Sequence, residues 1–171
     1  MDFNTVIDLR RSTRSFKNLS VEDEMIQQII SAVNKAPSAG NLQAFELYLV
    51  RDLETRKALA KASYDQDFLS QAPIVFVFCT NPDRNQSRYG QRGVELYSIQ
   101  DATIACTYAM LAARNLGLGS VWVGAFQPDT VQKVMKLPQN QLPVALIPIG
   151  HPTNWPEPRS RRALSELVHE Y

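Results

Sequence analysis

The chain has only two cysteines and two histidines in 171 residues. A disulfide framework needs more cysteines in a smaller chain, so Cys79 and Cys106, each inside an apolar or small-residue run, read as buried free thiols. Two histidines, His151 and His169, are too few for a convincing histidine metal site, and no H-E-x-x-H, C-x-x-C, P-loop or G-x-S-x-G pattern occurs. No apolar run approaches the ~20 residues needed to span a bilayer. The opening MDFNTVIDLRRS lacks the basic and apolar regions of a signal peptide. An excess of charge is also missing. Eighteen Lys and Arg face 17 Asp and Glu, for a formal net charge of +1. A protein that grips DNA or RNA usually carries a clear basic excess, so nucleic acid is not the expected partner. These absences point to a soluble protein of a reducing, cytoplasmic compartment, with no membrane and no metal. With no nucleophile–base set in view, any demanding chemistry would belong to a bound cofactor.

What is present begins with hydrophobicity. Apolar residues make up 44% and charged residues 20%, which predicts one packed domain over residues 1–171. SVEDEMIQQIISAVNKAP is the clearest helix. Val21, Met25, Ile26, Ile29, Ile30 and Val33 recur at helical spacing, Ser20 and Asp23 form a capping box, and Pro37 marks the end. DFNTVIDLRRS, LETRKALAKAS and PDTVQKVMKLP read as shorter helices. FELYLVRD alternates as a strand. APIVFVFCT, residues 72–80, reads as a strand buried on both faces. GSVWVGAF predicts another strand, and LPVALIPIG a last one, with Pro148 marking an edge or a break. NPDRNQSRYGQRG is polar and predicts a loop or mobile segment. Hairpin signals and tidy βαβ repeats are both missing, so an α+β domain is expected rather than a doubly wound sheet.

ELYSIQDATIACTYAMLAARNLG predicts a long helix ending at Gly117. Over residues 99–116 it has almost no polar face, and such a helix must be covered on all sides. It is either the central helix of a monomer or a helix partly covered by a second subunit.

Two arginine clusters stand at opposite ends of the chain. RRSTRSF supplies Arg10, Arg11 and Arg14 around Ser12; PRSRR supplies Arg159, Arg161 and Arg162. Guanidinium forks suit phosphate oxygens, so clusters that converge in the fold would make an anion socket; each alone is more often a solvated basic face. Gly124 and Ala125, in WVGAF, would let a flat group approach the backbone, or mark a bulge. APSAGNLQAF is a small-residue loop carrying Ser38, Asn41 and Gln43, a simple turn or a set of donors and acceptors for a polar ring edge. NLGLGS is not a dinucleotide fingerprint, because its glycines follow a helix and precede a strand.

Taken in order, RRSTRSF, APSAGNLQAFELYLV, DATIACTYAMLAARNLGLGSVWVGAF, VALIPIGHP and PRSRRALSELV resemble the nitroreductase family of FMN-dependent flavoenzymes, over nearly the whole chain. The resemblance implies an α+β fold with a central, mostly antiparallel sheet flanked by helices. It implies an intertwined homodimer with FMN at the interface, and an arm of residues 152–171 wrapping the partner. Arg10 and Ser12 would reach the FMN phosphate and ribityl chain, with Arg11 between them and Arg159 and Arg161 closing the site. Arg14 would sit near the pyrimidine edge of the flavin. Pro37, Ser38, Ala39, Asn41 and Gln43 would lie in the loop contributed by the other subunit, and the backbone of Gly124 and Ala125 would face the N5 side. The activity implied is hydride transfer from NAD(P)H through the flavin to a small acceptor such as a nitroaromatic or quinone, with no catalytic side chain; other flavin chemistry in the same family, such as dehalogenation or flavin cleavage, is the alternative.

Overall fold

The computed structural model describes residues 1–171. Four strands form one antiparallel sheet in the order β1-β2-β4-β3: β1 Phe45–Val50, β2 Ile74–Thr80, β3 Gly119–Ser120 and β4 Pro143–Gly150. The helices are α1 (Phe3–Leu9), α2 (Asp23–Asn34), α3 (Leu53–Ala62), α4 (Phe68–Gln71), α5 (Asp83–Arg92), α6 (Ser98–Asn115), α7 (Pro128–Met135) and α8 (Leu164–Leu167). The expected α+β class and antiparallel sheet are both observed.

Strand β2 organises the molecule. All seven of its residues are buried, and strand geometry sends alternate side chains to opposite faces. Ile74, Phe76 and Phe78 join Ile29, Val33, Ala105, Ala109 and Ile147 in one core beneath α2 and α6. Val75, Val77 and Cys79 join Leu59, Leu69, Val131 and Leu146 in a second core beneath α3 and α7. Helices therefore cover both faces, which is why β2 is a continuous apolar run rather than an alternating one.

Helix starts follow local chemistry. The Asp2 carboxylate accepts from the Thr5 N–H at 3.1 Å, and that of Asp52 accepts from the Thr55 N–H at 2.8 Å. Pro128 opens α7, where its missing N–H costs nothing. Helix α2 departs from the expected capping box. It starts at Asp23 behind an extended Glu22, with no side-chain cap, because Val21 is drawn into the core at 4% exposure.

Two further expectations are corrected. The strand expected over 119–126 shrinks to Gly119–Ser120, with Val123 regaining β4 at an isolated bridge to Leu146. Ser120 lies opposite Ile149, so the ladder stops at Pro148, which has no N–H to offer. Pro148 thus marks a break beside an interior strand. The polar stretch expected as a loop instead forms α5, kinked at Gly90 (φ 55°, ψ −144°) and followed by a π-turn over Gly93–Tyr97. Most of its polar side chains face outward, but Asn85 is fully buried, and the exposed Arg84 donates through Nε to the Leu42 carbonyl at 2.6 Å.

Helix α6 buries Ala102, Ala105, Cys106, Ala109 and Ala113. Its outer side leaves Ile99 and Tyr108 exposed, with Phe3 and Ile7 of α1 exposed as well. Thr103 and Thr107 satisfy their hydroxyls on the carbonyls of Ile99 and Thr103.

Candidate functional site: an arginine-lined cavity and a clamped loop

The segment after α1 runs extended beside β3. Ser12 bridges Ser120 in parallel, and the Thr13 N–H donates to the Ser120 carbonyl at 3.0 Å. Thr13 is fully buried against Gly119, where a Cβ would lie 2.7 Å from its methyl group. Only glycine allows that approach, so the second glycine of NLGLGS serves packing; the first, Gly117 (φ 78°), ends α6.

The chain's far end docks on the same segment. Lys17 N–H donates to the His151 carbonyl at 2.8 Å, and Thr153 N–H to the Ser15 carbonyl at 3.1 Å. Phe16 and Pro152 form a bridge. The two arginine clusters are thereby brought together. Arg10, Arg11, Ser12 and Arg14 form one wall of a cavity of about 700 Å³, and Pro156, Glu157, Pro158, Arg159 and Arg161 form the other. Ile7 and Asp8 complete its lining.

Five guanidiniums line this cavity, and none has a carboxylate partner. The ion pairs of the molecule are Arg51–Asp23, Lys57–Glu54 and His151–Glu22, all elsewhere. Burial lowers the Arg10 pKa, and the Arg161 and Arg11 charges lower it further. Asp8 and Glu157 share the lining but neither pairs with these arginines, and guanidiniums that crowd one another this way suit an anionic ligand. Arg162 lies outside the lining.

Gly124 and Ala125 are exposed just beyond β3. Neither N–H donates to a protein acceptor, while the Ala125 carbonyl accepts from Gln66 Nε2 at 3.0 Å. Arg14 lies 5.9 Å over the Phe68 ring. Gln66 and Phe68 are two residues apart, so Arg14 and Ala125 flank one short segment, on the cavity side of the molecule.

The loop of Pro37, Ser38, Ala39, Asn41 and Gln43 is elsewhere. Gly40, Asn41 and Gln43 all have positive φ, of 55°, 58° and 49°. Such a conformation is costly for the two non-glycine residues and must be held from outside. Asp101 does so. Its carboxylate, 2% exposed, accepts from the Ala39 N–H at 2.8 Å, the Ala44 N–H at 3.2 Å and Asn85 Nδ2 at 3.4 Å. Ser38 Oγ accepts from the Gln43 N–H at 3.0 Å, and Gln43 Nε2 reaches Asn34 at 3.1 Å.

Asp101 and Arg114 are the only charged residues of α6. The first clamps the loop. The second, in the last turn, stacks under Trp155 of the arm at 3.8 Å. Thirteen residues at 1.5 Å rise separate the loop end from the arm end by ~20 Å. The structure therefore brings Arg10, Arg11, Ser12, Arg14, Arg159 and Arg161 into one cavity, leaves Gly124 and Ala125 outside its lining with Ala125 linked to Arg14 through the Gln66–Phe68 segment, and keeps residues 37–43 apart. Sequence reasoning missed Asp101, Asn85, Arg114 and Trp155. The signal for two of them was there: two lone charges on an otherwise uncharged helix.

The sequence pattern of the Nitroreductase family matches residues 7–66 and 61–151. A protein of Archaeoglobus fulgidus is 32% identical over 151 residues, covering 86% of this chain and 83% of its own. The FMN reductase [NAD(P)H] of Bacillus subtilis is 30% identical over 175 residues, covering 94% of this chain and 70% of its own. The NADPH:FMN oxidoreductase of Vibrio harveyi, solved in complex with NAD+, superposes with a TM-score of 0.90 at 29% identity, over 98% of this chain and 76% of that one.

Proposed function

The chain belongs to the nitroreductase family, and from that premise we propose that it is an FMN-dependent oxidoreductase moving a hydride from NAD(P)H to a small acceptor such as a nitroaromatic or quinone. The observation that carries this reading is the cavity of five unpaired guanidiniums built from both ends of the chain. It suits a phosphate monoester, and the relatives act on FMN and NAD(P)H by name.

Arg10, Arg11, Ser12, Arg159 and Arg161 would hold the FMN phosphate and ribityl chain. Arg14 would set a cation by the pyrimidine edge, where negative charge grows on reduction. The free N–H groups of Gly124 and Ala125 would face the N5 side. FMN, when bound, would supply the two-electron redox chemistry that links oxidation of NAD(P)H to reduction of the acceptor, one hydride's worth per cycle. The protein's own thiols take no part: burial pushes Cys79 up to about 12 and raises Cys106 as well.

Residues 37–43 complete the site in this reading from a second copy of the chain. Two features support a homodimer. The loop lies ~20 Å along α6 from the arm end of the cavity, by helix rise, so one chain's loop is remote from its own anion socket. The outer side of α1 and α6 also leaves Phe3 69% and Ile7 47% exposed. The arm over 152–171, exposed almost throughout, would wrap the partner. No helix is long and apolar enough to cross a membrane. Two free thiols fit a reducing, cytoplasmic setting.

The test is titration of apoprotein with FMN. Arg10→Ala and Arg161→Ala should each weaken binding by about 1.5–3 kcal/mol, the worth of a charged hydrogen bond. Unchanged affinity in both variants overturns the shared phosphate site.

A further inference from the structure

The far wall of the cavity belongs to the arm, and the arm is weakly tied. Its last backbone hydrogen bond to the body is Thr153 N–H to the Ser15 carbonyl. From Asn154 to Tyr171, every remaining hydrogen bond stays within the arm, and no ion pair forms. Yet Arg159 and Arg161 stand opposite Arg10, Arg11 and Arg14, and like charges push the two walls apart.

A side-chain contact within the chain opposes this. Trp155, immediately before the wall, lies with its ring 3.8 Å from the Arg114 guanidinium carbon. Arg114 is 9% exposed, has no carboxylate partner, and its Nε has no hydrogen-bond partner. A buried, unpaired cation is costly, and two things compensate it: the negative face of the indole and the C-terminal end of α6. The ring is thus held by the cation as much as the cation by the ring.

We propose that Arg114 and Trp155 are positioning residues: their stack is a latch that holds the arm's arginines against the anion cavity. Trp155 is 39% exposed and sits between a hydrogen-bonded anchor and the stiff Pro156–Glu157–Pro158 run. Fixing one ring there fixes the direction in which Arg159 and Arg161 leave. The inference rests on the reading of the cavity as the FMN phosphate site, and its test separates the two.

Apoprotein is titrated with FMN for the wild type, Trp155→Phe, Trp155→Leu, Arg161→Ala and the Trp155→Leu/Arg161→Ala double variant. Leucine keeps apolar bulk and loses the aromatic face; phenylalanine keeps a face. Trp155→Leu should weaken binding roughly 10- to 30-fold, and Trp155→Phe no more than about threefold. If the latch works through the arm, the double variant should lose clearly less than the two single losses combined, because only the share of Arg159 remains to be lost once Arg161 is gone. Trypsin cleavage after Arg159, Arg161 and Arg162, measured without flavin, should be faster in Trp155→Leu than in the wild type. Wild-type apoprotein that fails to bind FMN overturns the cavity reading, and the trypsin comparison still judges the latch. Wild-type-like affinity in Trp155→Leu, full additivity in the double variant, or unchanged cleavage overturns the latch.

Discussion

Replacing Asp101 by alanine removes one carboxylate and strands two backbone donors. The Ala39 N–H lies 2.8 Å from one carboxylate oxygen, and the Ala44 N–H, on a residue with no exposed surface, lies 3.2 Å from the other. A buried donor left without an acceptor costs about 1–3 kcal/mol and the half-buried Ala39 N–H somewhat less, so the variant should lose about 2–5 kcal/mol. The Asn85 contact, at 3.4 Å, adds little. For a chain of this size that loss lowers the melting temperature by roughly 5–15 °C. Asp23→Ala is the control. Asp23 pairs with Arg51 on the exposed surface, where such a pair is worth at most about 1 kcal/mol, so its melting temperature should fall by less than ~4 °C. Asp101→Asn keeps one acceptor and should fall between the two. The same substitutions release the left-handed Asn41 and Gln43, so hydrogen exchange at 39–44 should accelerate more than in the sheet. Calorimetry and exchange on the three variants decide it. Asp101→Ala melting within ~2 °C of Asp23→Ala, with unchanged loop exchange, refutes the clamp.

Arg14→Gln keeps length and hydrogen-bonding capacity but removes charge. The midpoint potential of bound FMN should fall by ~30 mV for each ~1.4 kcal/mol of differential stabilisation lost, while Arg10→Gln should weaken both redox forms about equally; spectroelectrochemical titration distinguishes them. Both thiols should resist alkylation at pH 8 in the folded protein and react on unfolding, because burial keeps them protonated. The Cys79 thiol is held up to about 12, above its unfolded value near 8.5, so the unfolded state releases its proton first. Stability should then drop as pH rises from about 8.5 toward about 12, and drop less in Cys79→Ala, as denaturant midpoints would report. Truncation after Pro152 removes two of the five cavity arginines and the arm; sedimentation should show a smaller assembly, and FMN should be released.

Much of the fold was legible because burial writes itself into apolar pattern. The continuous run of β2 announced a strand covered on both faces, and Ile26, Ile29 and Val33 announced α2. The extent of β3 was not legible. Its apolar residues continue past Ser120, but the partner strand offers Pro148 at the next position, and pairing is a property of two strands. Helix α5 was hidden for a related reason. Its sequence is polar, and its long-range partners include the Leu42 carbonyl of a distant loop, reached by Arg84, and the Asp101 carboxylate of α6, reached by the buried Asn85. The meeting of the two arginine clusters was inferable as a possibility from residue type alone. What brings them together, the hydrogen bonds of Lys17 and Thr153 to main-chain carbonyls, carries no side-chain signature.

The central claim is that this chain holds FMN in the arginine cavity and reduces it with NAD(P)H. The most direct measurement is anaerobic addition of NADH or NADPH to protein reconstituted with FMN and freed of excess by gel filtration, with the flavin's visible absorbance followed. The account predicts flavin that travels with the wild-type protein, bleaches on addition of a nicotinamide donor and recovers with a quinone, and flavin that is lost from Arg10→Ala and Arg161→Ala. Flavin that separates from the wild-type protein, or that stays bound but is bleached by neither donor, would contradict it.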